Sequence, residues 1–162
     1  MRLIVPLIIG ISLVTGVAAA PENTVVIGGV EDAILFPWKI KIPARIDTGA
    51  ATSSLDVCEL KRLSHKEVEF RLPERCGGAK IRRPVISWRR VKSTEGNSEG
   101  RPMVEVELCL GSRRLRTEVT LNDRSAMEFP LLIGRNTLEG HFVVDVSRSK
   151  TLSPACPEDP SP

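Results

Sequence analysis

Apolar and polar residues alternate with a period of two in the best-patterned part of the chain. Every second residue from Val104 to Leu110 is aliphatic, and Leu115 to Leu121 repeats the alternation with Thr117 as its polar member. Gly111-Ser112 lies between these segments and has the length of a tight turn, so we predict a β-hairpin. The same reasoning predicts further strands at Val25–Gly29, Lys39–Ile46, Ser53–Cys58, Glu67–Leu72, Val85–Val91, Leu131–Ile133 and Phe142–Val146.

No window has the period of a long amphipathic helix, and short helical turns are predicted only at Asp123–Met127 and Asn136–Glu139. Two polar segments, Pro73–Pro84 and Ser93–Pro102, are predicted to be long loops. Many short strands joined by Gly- and Pro-bearing turns are typical of an all-β barrel or sandwich.

The two ends of the chain differ from its centre. Met1–Ala20 has one charge, an apolar run and a small-residue end, which is the pattern of a secretory signal; an uncleaved anchor is the alternative. The last ten residues, from Ser153, hold four prolines, so we expect a disordered tail apart from Cys156. The predicted organisation is a signal over residues 1–20, one domain over 24–146 and a Pro-rich tail over 147–162. Export to the periplasm is expected, with no membrane span beyond the signal segment.

The charge balance and the length of the chain exclude some classes of function. The chain has 162 residues, with 23 Lys+Arg against 20 Asp+Glu, and removing Arg2 with the signal leaves 22 against 20. This balance excludes a polybasic nucleic-acid arm, so no nucleic-acid partner is expected. About 130 residues remain for the folded part, which is one domain and too short for a two-lobed enzyme.

Four cysteines, Cys58, Cys76, Cys109 and Cys156, fit an oxidising compartment and allow three pairings. None of them has the Cys-x-x-Cys spacing of a zinc or redox motif. We therefore expect one or two structural disulfides, and we favour Cys58 with Cys76 because that loop is short.

Candidate chemistry begins at Asp47-Thr48-Gly49-Ala50, which follows an apolar-leaning strand. The sequence predicts a carboxylate at a turn that glycine permits, with a hydroxyl beside it. Asp-Thr-Gly alone is a weak signal because many such triplets are simple turns. A second motif, Ile133 to Asn136 with Leu138, follows near the other end of the domain.

Together the two motifs resemble those of retropepsin-type aspartic proteases. A wider resemblance, over roughly Thr24 to Val146, is to the bacterial retropepsin-like family labelled "ATP-dependent zinc protease". Its matching segments are Asp47–Ala50, Arg90-Val91-Lys92-Ser93 to Arg101-Pro102, Leu121–Arg124 with Met127, and Leu131–Leu138.

The resemblance implies a closed, acid-protease-like barrel with one lobe per chain and a flap hairpin at Val85–Leu110. It implies catalytic roles for Asp47, Thr48 and Gly49, and substrate-binding roles for Ala50, Asn97, Gly134 and Arg135. The family label does not fit the residues, because the chain has neither a phosphate-binding Gly-rich loop nor His-Glu-x-x-His. His65 and His141 stand alone, so we expect no metal and no cofactor.

One aspartate cannot hydrolyse a peptide in this way, because one carboxyl must accept a proton from water while another donates one. Two adjacent carboxyls share a proton, since both cannot ionise. With a single Asp-Thr-Gly, the second carboxyl must come from a second chain, so we predict a homodimeric aspartic endopeptidase acting on peptides or proteins. The alternative is a non-catalytic β domain that binds a peptide or a protein partner.

Two further expectations concern arginine. Retroviral enzymes have an aspartate where this chain has Ala51, so Arg135 lacks its usual partner; Asp56, Asp145 or a substrate carboxylate could replace it. Arg89, Arg101 and Arg135 could line the cleft and favour acidic peptides, because guanidinium pairs bidentately with carboxylate. The simpler interpretation of these arginines is a mixed-charge surface.

Overall fold

The computed structural model describes residues 24–92 and 98–156, and strands form most of this part of the chain. The strands are β1 Val25–Gly28, β2 Val30–Phe36, β3 Ile40–Ile46, β4 Ser53–Asp56, β5 Cys58–Ser64, β6 Glu67–Arg71, β7 Lys80–Pro84, β8 Ser87–Lys92, β9 Ser98–Leu110, β10 Arg113–Asn122, β11 Leu131–Ile133 and β12 Phe142–Asp145. Two single helical turns accompany them, a 3-10 turn at Glu74–Cys76 and α1 at Arg135–Leu138.

Six of these strands close into a barrel in the order β10-β4-β11-β3-β2-β9, with β9 pairing back to β10. The β4–β10 and β3–β11 pairs are parallel, whereas β9–β10, β2–β3, β2–β9 and β4–β11 are antiparallel. The predicted all-β, retropepsin-like barrel is confirmed. Strand β8 pairs with β9 outside the closed ring and forms the predicted hairpin. Its tip, residues 93–97, lies outside the described residues.

The β9–β10 hairpin has the predicted register. Leu110 pairs with Arg113 across the two-residue turn, and Gly111 takes a φ of 61°, a conformation that glycine adopts without strain. The aliphatic faces of both strands point into the barrel, where Val104, Leu108 and Leu121 are 0–1% exposed. Burying one such leucine stabilises the fold by about 1.5–3 kcal/mol.

A three-stranded sheet, β5-β6-β7, lies beside the barrel, and the sequence patterns missed two of its strands. The predicted loop Pro73–Pro84 is wrong, because its second half is β7. Only Ile81 of β7 is buried. Strand β7 pairs antiparallel with β6, and charged side chains pair across the two strands: Lys80 lies 2.8 Å from Glu69 and Arg82 lies 2.5 Å from Glu67. A strand held by cross-strand ion pairs gives no apolar alternation for sequence analysis to detect.

The two ends of the described chain come together on one side of the barrel. Strands β1 and β12 pair in parallel, and residues 147–156, which we term the strap, continue from β12 across the barrel. The expectation of a disordered tail is wrong as far as Cys156, because Ala155 N–H donates to the Gly111 carbonyl and Cys156 is disulfide-bonded. The predicted signal and residues 157–162 lie outside the described residues. No helix in the described ranges is long and apolar enough to span a membrane.

The favoured cysteine pairing is also wrong. The sulfurs of Cys109 and Cys156 lie 2.02 Å apart and form a disulfide, whereas Cys58 and Cys76 are free thiols within the described chain. Cys58 is exposed and pairs in register with Arg71. Cys76 lies five residues further on, in the 3-10 turn that carries its side chain into the core. The short loop between Cys58 and Cys76 therefore predicted the wrong disulfide, because strand register separates the two thiols.

These cysteine assignments predict distinct reactivities. Iodoacetamide added to the native, unreduced protein at about pH 8 should label Cys58 and leave Cys76 unlabelled, because thiolate is the reactive form. Burial raises the pKa of the Cys76 thiol and so lowers its thiolate fraction. Peptide mapping without reduction should recover Cys109 linked to Cys156. A peptide linking Cys58 to Cys76 would contradict the assignment.

Candidate active site

The Asp47 carboxylate is held by the backbone of its own loop. Asp47 directly follows β3, and its N–H donates to the Ile133 carbonyl of β11 at 2.9 Å. Its Oδ1 accepts the N–H groups of Gly49 at 2.9 Å and Ala50 at 3.1 Å. Such charge-assisted bonds fix the orientation of the carboxylate before any ligand arrives.

Gly49 and Thr48 complete this loop. A Cβ on Gly49 would lie 3.1 Å from Asp47 Oδ1, so a larger residue would crowd the carboxylate. The Thr48 and Gly49 carbonyls accept bonds from Arg135 Nη1 at 2.9 and 2.8 Å. The arginine of the second motif thus holds the backbone of the first.

Gly134 is where the two motifs touch. A Cβ at this position would lie 2.7 Å from the carbonyl carbon of Thr52 and 3.0 Å from the Ala50 oxygen, both of them backbone atoms. Its N–H donates to Ser53 Oγ at 3.0 Å, and the next N–H, of Arg135, donates to the Ala50 carbonyl at 2.9 Å. Only glycine fits this contact without moving the Asp47 loop.

Beneath the contact, four side chains form a closed ring of hydrogen bonds. Ser53 Oγ donates to Asn136 Oδ1 at 3.0 Å, and Asn136 Nδ2 donates to Thr117 Oγ1 at 3.2 Å. Thr137 Oγ1 lies 2.7 Å from both Ser53 Oγ and Thr117 Oγ1. Because the single Ser53 proton goes to Asn136, Thr137 must donate to Ser53 and Thr117 to Thr137. All four bonds then run in one direction, an arrangement in which each polarises the next.

The sequence did not predict this ring. Thr117 carried the one available signal, since it is the polar member of an otherwise aliphatic face of β10. Ser53 and Thr137 are 0% and 2% exposed, and no sequence motif predicted that these two hydroxyl side chains would be buried.

Arg124, which follows β10, belongs to a segment that resembles the family but had no predicted role. Its N–H donates to Asp56 Oδ1 at 2.7 Å and its Nε donates to the Phe129 carbonyl at 3.3 Å. Burial lowers the pKa of the Arg124 guanidinium, while the negative charges of Asp56 and, more weakly, Asp47 raise it. A half-buried cation therefore lies within electrostatic range of the Asp47 carboxylate, and Arg101 is close enough to Arg124 to repel it.

The carboxylates expected beside Arg135 have other partners. Asp56, with 1% of its side chain exposed, pairs with Arg75 Nη2 at 2.5 Å as well as with Arg124. Asp145 accepts from Ser147 and pairs with Arg148 at 3.0 Å. The expectation that Asp56 or Asp145 replaces the missing aspartate is wrong, because backbone carbonyls take that place.

The structure brings six of the seven predicted site residues into one loop cluster: Asp47, Thr48, Gly49, Ala50, Gly134 and Arg135. Asn97 lies outside the described residues. A groove of about 470 Å³ opens beside the cluster, lined by Thr48, Arg135, Leu138, Glu139, Phe142 and Val144. In residues 24–92 and 98–156, no three His, Cys, Asp or Glu side chains converge as metal ligands.

Comparison with known proteins places these features in a family. A family model described as "RimB-like: Retropepsin-like aspartic endopeptidase RimB" matches residues 26–154. A crystallised Legionella pneumophila protein of unknown function (DUF785) superposes with a TM-score of 0.68 and 25% identity, covering 80% of this chain and 98% of that protein.

Several curated relatives are described as probable alpha-L-glutamate ligases. The protein from Parasynechococcus marenigrum is 35% identical over 118 residues (68% of this chain, 25% of the relative). That from Desulfotalea psychrophila is 33% identical over 127 residues (72% and 27%), and that from Shewanella pealeana is 32% identical over 141 (81% and 30%). The chain thus spans at most 30% of the length of these relatives.

The ring makes a prediction for stability. Ser53→Ala should lower the free energy of unfolding by about 1–3 kcal/mol, because the Gly134 N–H and the Thr137 hydroxyl would lose a buried partner. Ser54→Ala, the neighbouring position on β4, is the control and should cost about 0.5 kcal/mol or less. Urea denaturation of both variants measures the difference. Equal losses would show that the ring adds nothing to stability.

Proposed function

The chain belongs to the RimB-like family of retropepsin-like aspartic endopeptidases, and we propose that it hydrolyses peptide bonds with the Asp47 carboxyls of two copies. The observation that carries this proposal is the fixed Asp47 loop. Its carboxylate is oriented by the Gly49 and Ala50 amides, and its backbone is clamped by Gly134 and Arg135. Preorganisation of this kind is what a catalytic carboxyl requires.

The proposed chemistry needs one ionised and one protonated carboxyl. The ionised carboxylate takes a proton from water as the water oxygen bonds to the peptide carbonyl carbon, and the other carboxyl donates its proton to the carbonyl oxygen. The tetrahedral intermediate then collapses: the nitrogen takes the proton that the first carboxyl received from water as the C–N bond breaks, and one hydroxyl of the intermediate returns a proton to the second carboxyl. Oδ1 of Asp47 already accepts two amides, so we assign the proton transfers to Oδ2.

The second carboxyl would come from a copy related by twofold symmetry. The groove beside Thr48 has an apolar floor, and the neighbouring β1–β12 sheet exposes Val26 and Val143, which pair in register. Arg135 and Glu139 lie one helical turn apart on its rim. In a twofold dimer the same surface of both copies meets, so Arg135 of one copy can lie opposite Glu139 of the other. These features support a homodimer through this face.

We further propose an acidic peptide substrate and an exported enzyme. Arg124 lies within electrostatic range of both Asp47 and Arg101, and Arg89 is the cross-strand partner of Arg101. Like charges directly opposite each other on a hairpin are destabilising, and an acidic ligand would offset that repulsion. The description of the relatives as glutamate ligases makes glutamate-rich peptides the first class to test. The Cys109–Cys156 disulfide supports export to an oxidising compartment such as the periplasm.

A second candidate is a module that binds acidic peptides without cleaving them. The observation that favours it is that the matched region forms only 25–30% of the ligase relatives, where it accompanies a larger protein. The same arginines would hold the peptide in both cases, so turnover alone separates the two candidates.

Asp47→Asn should abolish cleavage of a glutamate-rich peptide while the melting temperature stays near that of the parent, because the amide oxygen can still accept the loop N–H groups. The control is Asp32→Asn, a partly buried carboxylate of β2 that is paired with Lys41, and this variant should retain full activity. Mass spectrometry of the products measures cleavage by the parent and by both variants. Cleavage by Asp47→Asn at the parental rate would contradict the aspartic mechanism, and binding without cleavage would favour the second candidate.

Arg101→Gln should raise the KM for a glutamate-rich peptide about tenfold, equivalent to about 1.4 kcal/mol, and leave the KM for a neutral peptide unchanged. Arg116→Gln is the matched control, because Arg116 is exposed on the outer face of β10. Steady-state kinetics measures the KM of each variant for both peptides. An equal change for both peptides would argue against acidic specificity.

A further inference from the structure

The strap binds a buried carboxylate. Glu31 is 0% exposed, and its Oε1 accepts the N–H of Gly28 at 2.6 Å, the Thr151 hydroxyl at 2.5 Å and the Thr151 N–H at 3.1 Å. Its Oε2 accepts the Leu152 N–H at 3.2 Å. Three of these four bonds come from the strap. A buried carboxylate is costly without such donors, so Glu31 favours the docked strap strongly.

A short relay of backbone bonds leads from the strap to Asp47. The Arg148 carbonyl accepts the Gly29 N–H at 2.8 Å, and the Gly29 carbonyl accepts the Ile46 N–H at 3.0 Å. Ile46 immediately precedes Asp47. A Cβ on Gly28 would lie 2.6 Å from the Arg148 oxygen, so the strap and β1 are in close backbone contact.

The far end of the strap is covalently attached to the barrel. Cys156 is bonded to Cys109 of β9, 47 residues away in sequence, and Ala155 N–H donates to the Gly111 carbonyl at 2.8 Å. Leu152 covers Gly111 so closely that a Cβ there would lie 2.7 Å from Leu152 Cδ1. The disulfide limits how far the strap can move from the barrel, because Cys156 stays covalently attached to β9.

We propose that the strap is a positioning element of the Asp47 site and that the Cys109–Cys156 disulfide makes this positioning redox-dependent. With the disulfide intact, the docked strap keeps the Gly29 carbonyl bonded to the Ile46 N–H. This bond fixes the end of β3, which leads into Asp47. With it reduced, the strap undocks more often, the Gly29 N–H loses its acceptor and the end of β3 loosens. The effect on catalysis rests on the proposed function, whereas the effect on Ile46 does not.

The redox step balances with a dithiol as reductant. A thiolate of the dithiol attacks one sulfur of the Cys109–Cys156 bond, and its second thiol then displaces the other cysteine. The two cysteines gain two electrons and two protons, and the dithiol is oxidised to a disulfide.

Amide hydrogen exchange on the full chain, with and without dithiothreitol, tests the proposal. Reduction should speed exchange of the Gly29 and Ile46 amides at least tenfold more than exchange of Val119, which lies on β10 away from the strap. The Cys109→Ser/Cys156→Ser variant should exchange like the reduced protein and ignore dithiothreitol. Cys58→Ser, which removes an exposed thiol outside the disulfide, should keep the full response.

Three results would overturn the proposal: no change at Ile46, faster exchange limited to strap amides such as Lys150, or equal acceleration of every amide. Glu31→Gln gives a second route, because it keeps the size and Oε1 of the side chain but replaces the acceptor of the Leu152 N–H. It should speed Ile46 exchange severalfold even when oxidised, and an unchanged rate would count against the role of Glu31.

Kinetics separates this proposal from the proposed function. In an active enzyme, reduction should lower kcat severalfold and leave KM within twofold, because the bonds from the strap lead through Gly29 and Ile46 to Asp47. A rise in KM with kcat unchanged would contradict positioning of Asp47. If no redox state cleaves any peptide, the proposed function fails while the exchange of Ile46 still decides whether the strap positions the loop.

Discussion

The hydrogen bond from the Gly134 N–H to Ser53 Oγ is the contact on which the geometry of the site depends. It joins the two loops at the point where a Cβ would clash with backbone of Thr52. Because that gap admits only glycine, the carbonyls of the Asp47 loop come within reach of Arg135, and the ring through Asn136 closes below. A carboxylate at the end of a strand could rotate freely, whereas here the loop and its supports fix it.

Much of the barrel could be predicted from the sequence where one strand face is aliphatic. The β9–β10 hairpin and β11 were found with correct bounds or register because their inward faces are aliphatic except at Thr117. Strand β2 was missed because Glu31 occupies an inward position, and its burial depends on a strap more than a hundred residues away in sequence. Strand β7 was missed because three of its five residues are basic and Ile81 is its one buried residue, which leaves no apolar alternation.

The site residues, too, divide into those that sequence motifs identified and those that depend on contacts between distant parts of the chain. The two motifs identified the Asp47 loop and the residues around Gly134, since short glycine-bearing patterns are visible in sequence. The ring through Ser53 and Thr137, the burial of Arg124 and the disulfide depend on three-dimensional neighbours. No spacing rule could have found them, and loop length favoured the wrong cysteine pair because it ignores strand register.

The chain supplies half of the proposed catalytic centre, and subunit mixing tests that claim most directly. Wild-type chains are mixed with Asp47→Asn chains at fixed total concentration, unfolded and refolded together, and assayed for peptide cleavage. If each site needs an Asp47 from both copies, activity should follow the square of the wild-type fraction, so that an equal mixture retains about a quarter of full activity. A linear dependence, with about half the activity retained, would mean that one Asp47 is enough and would contradict the shared site.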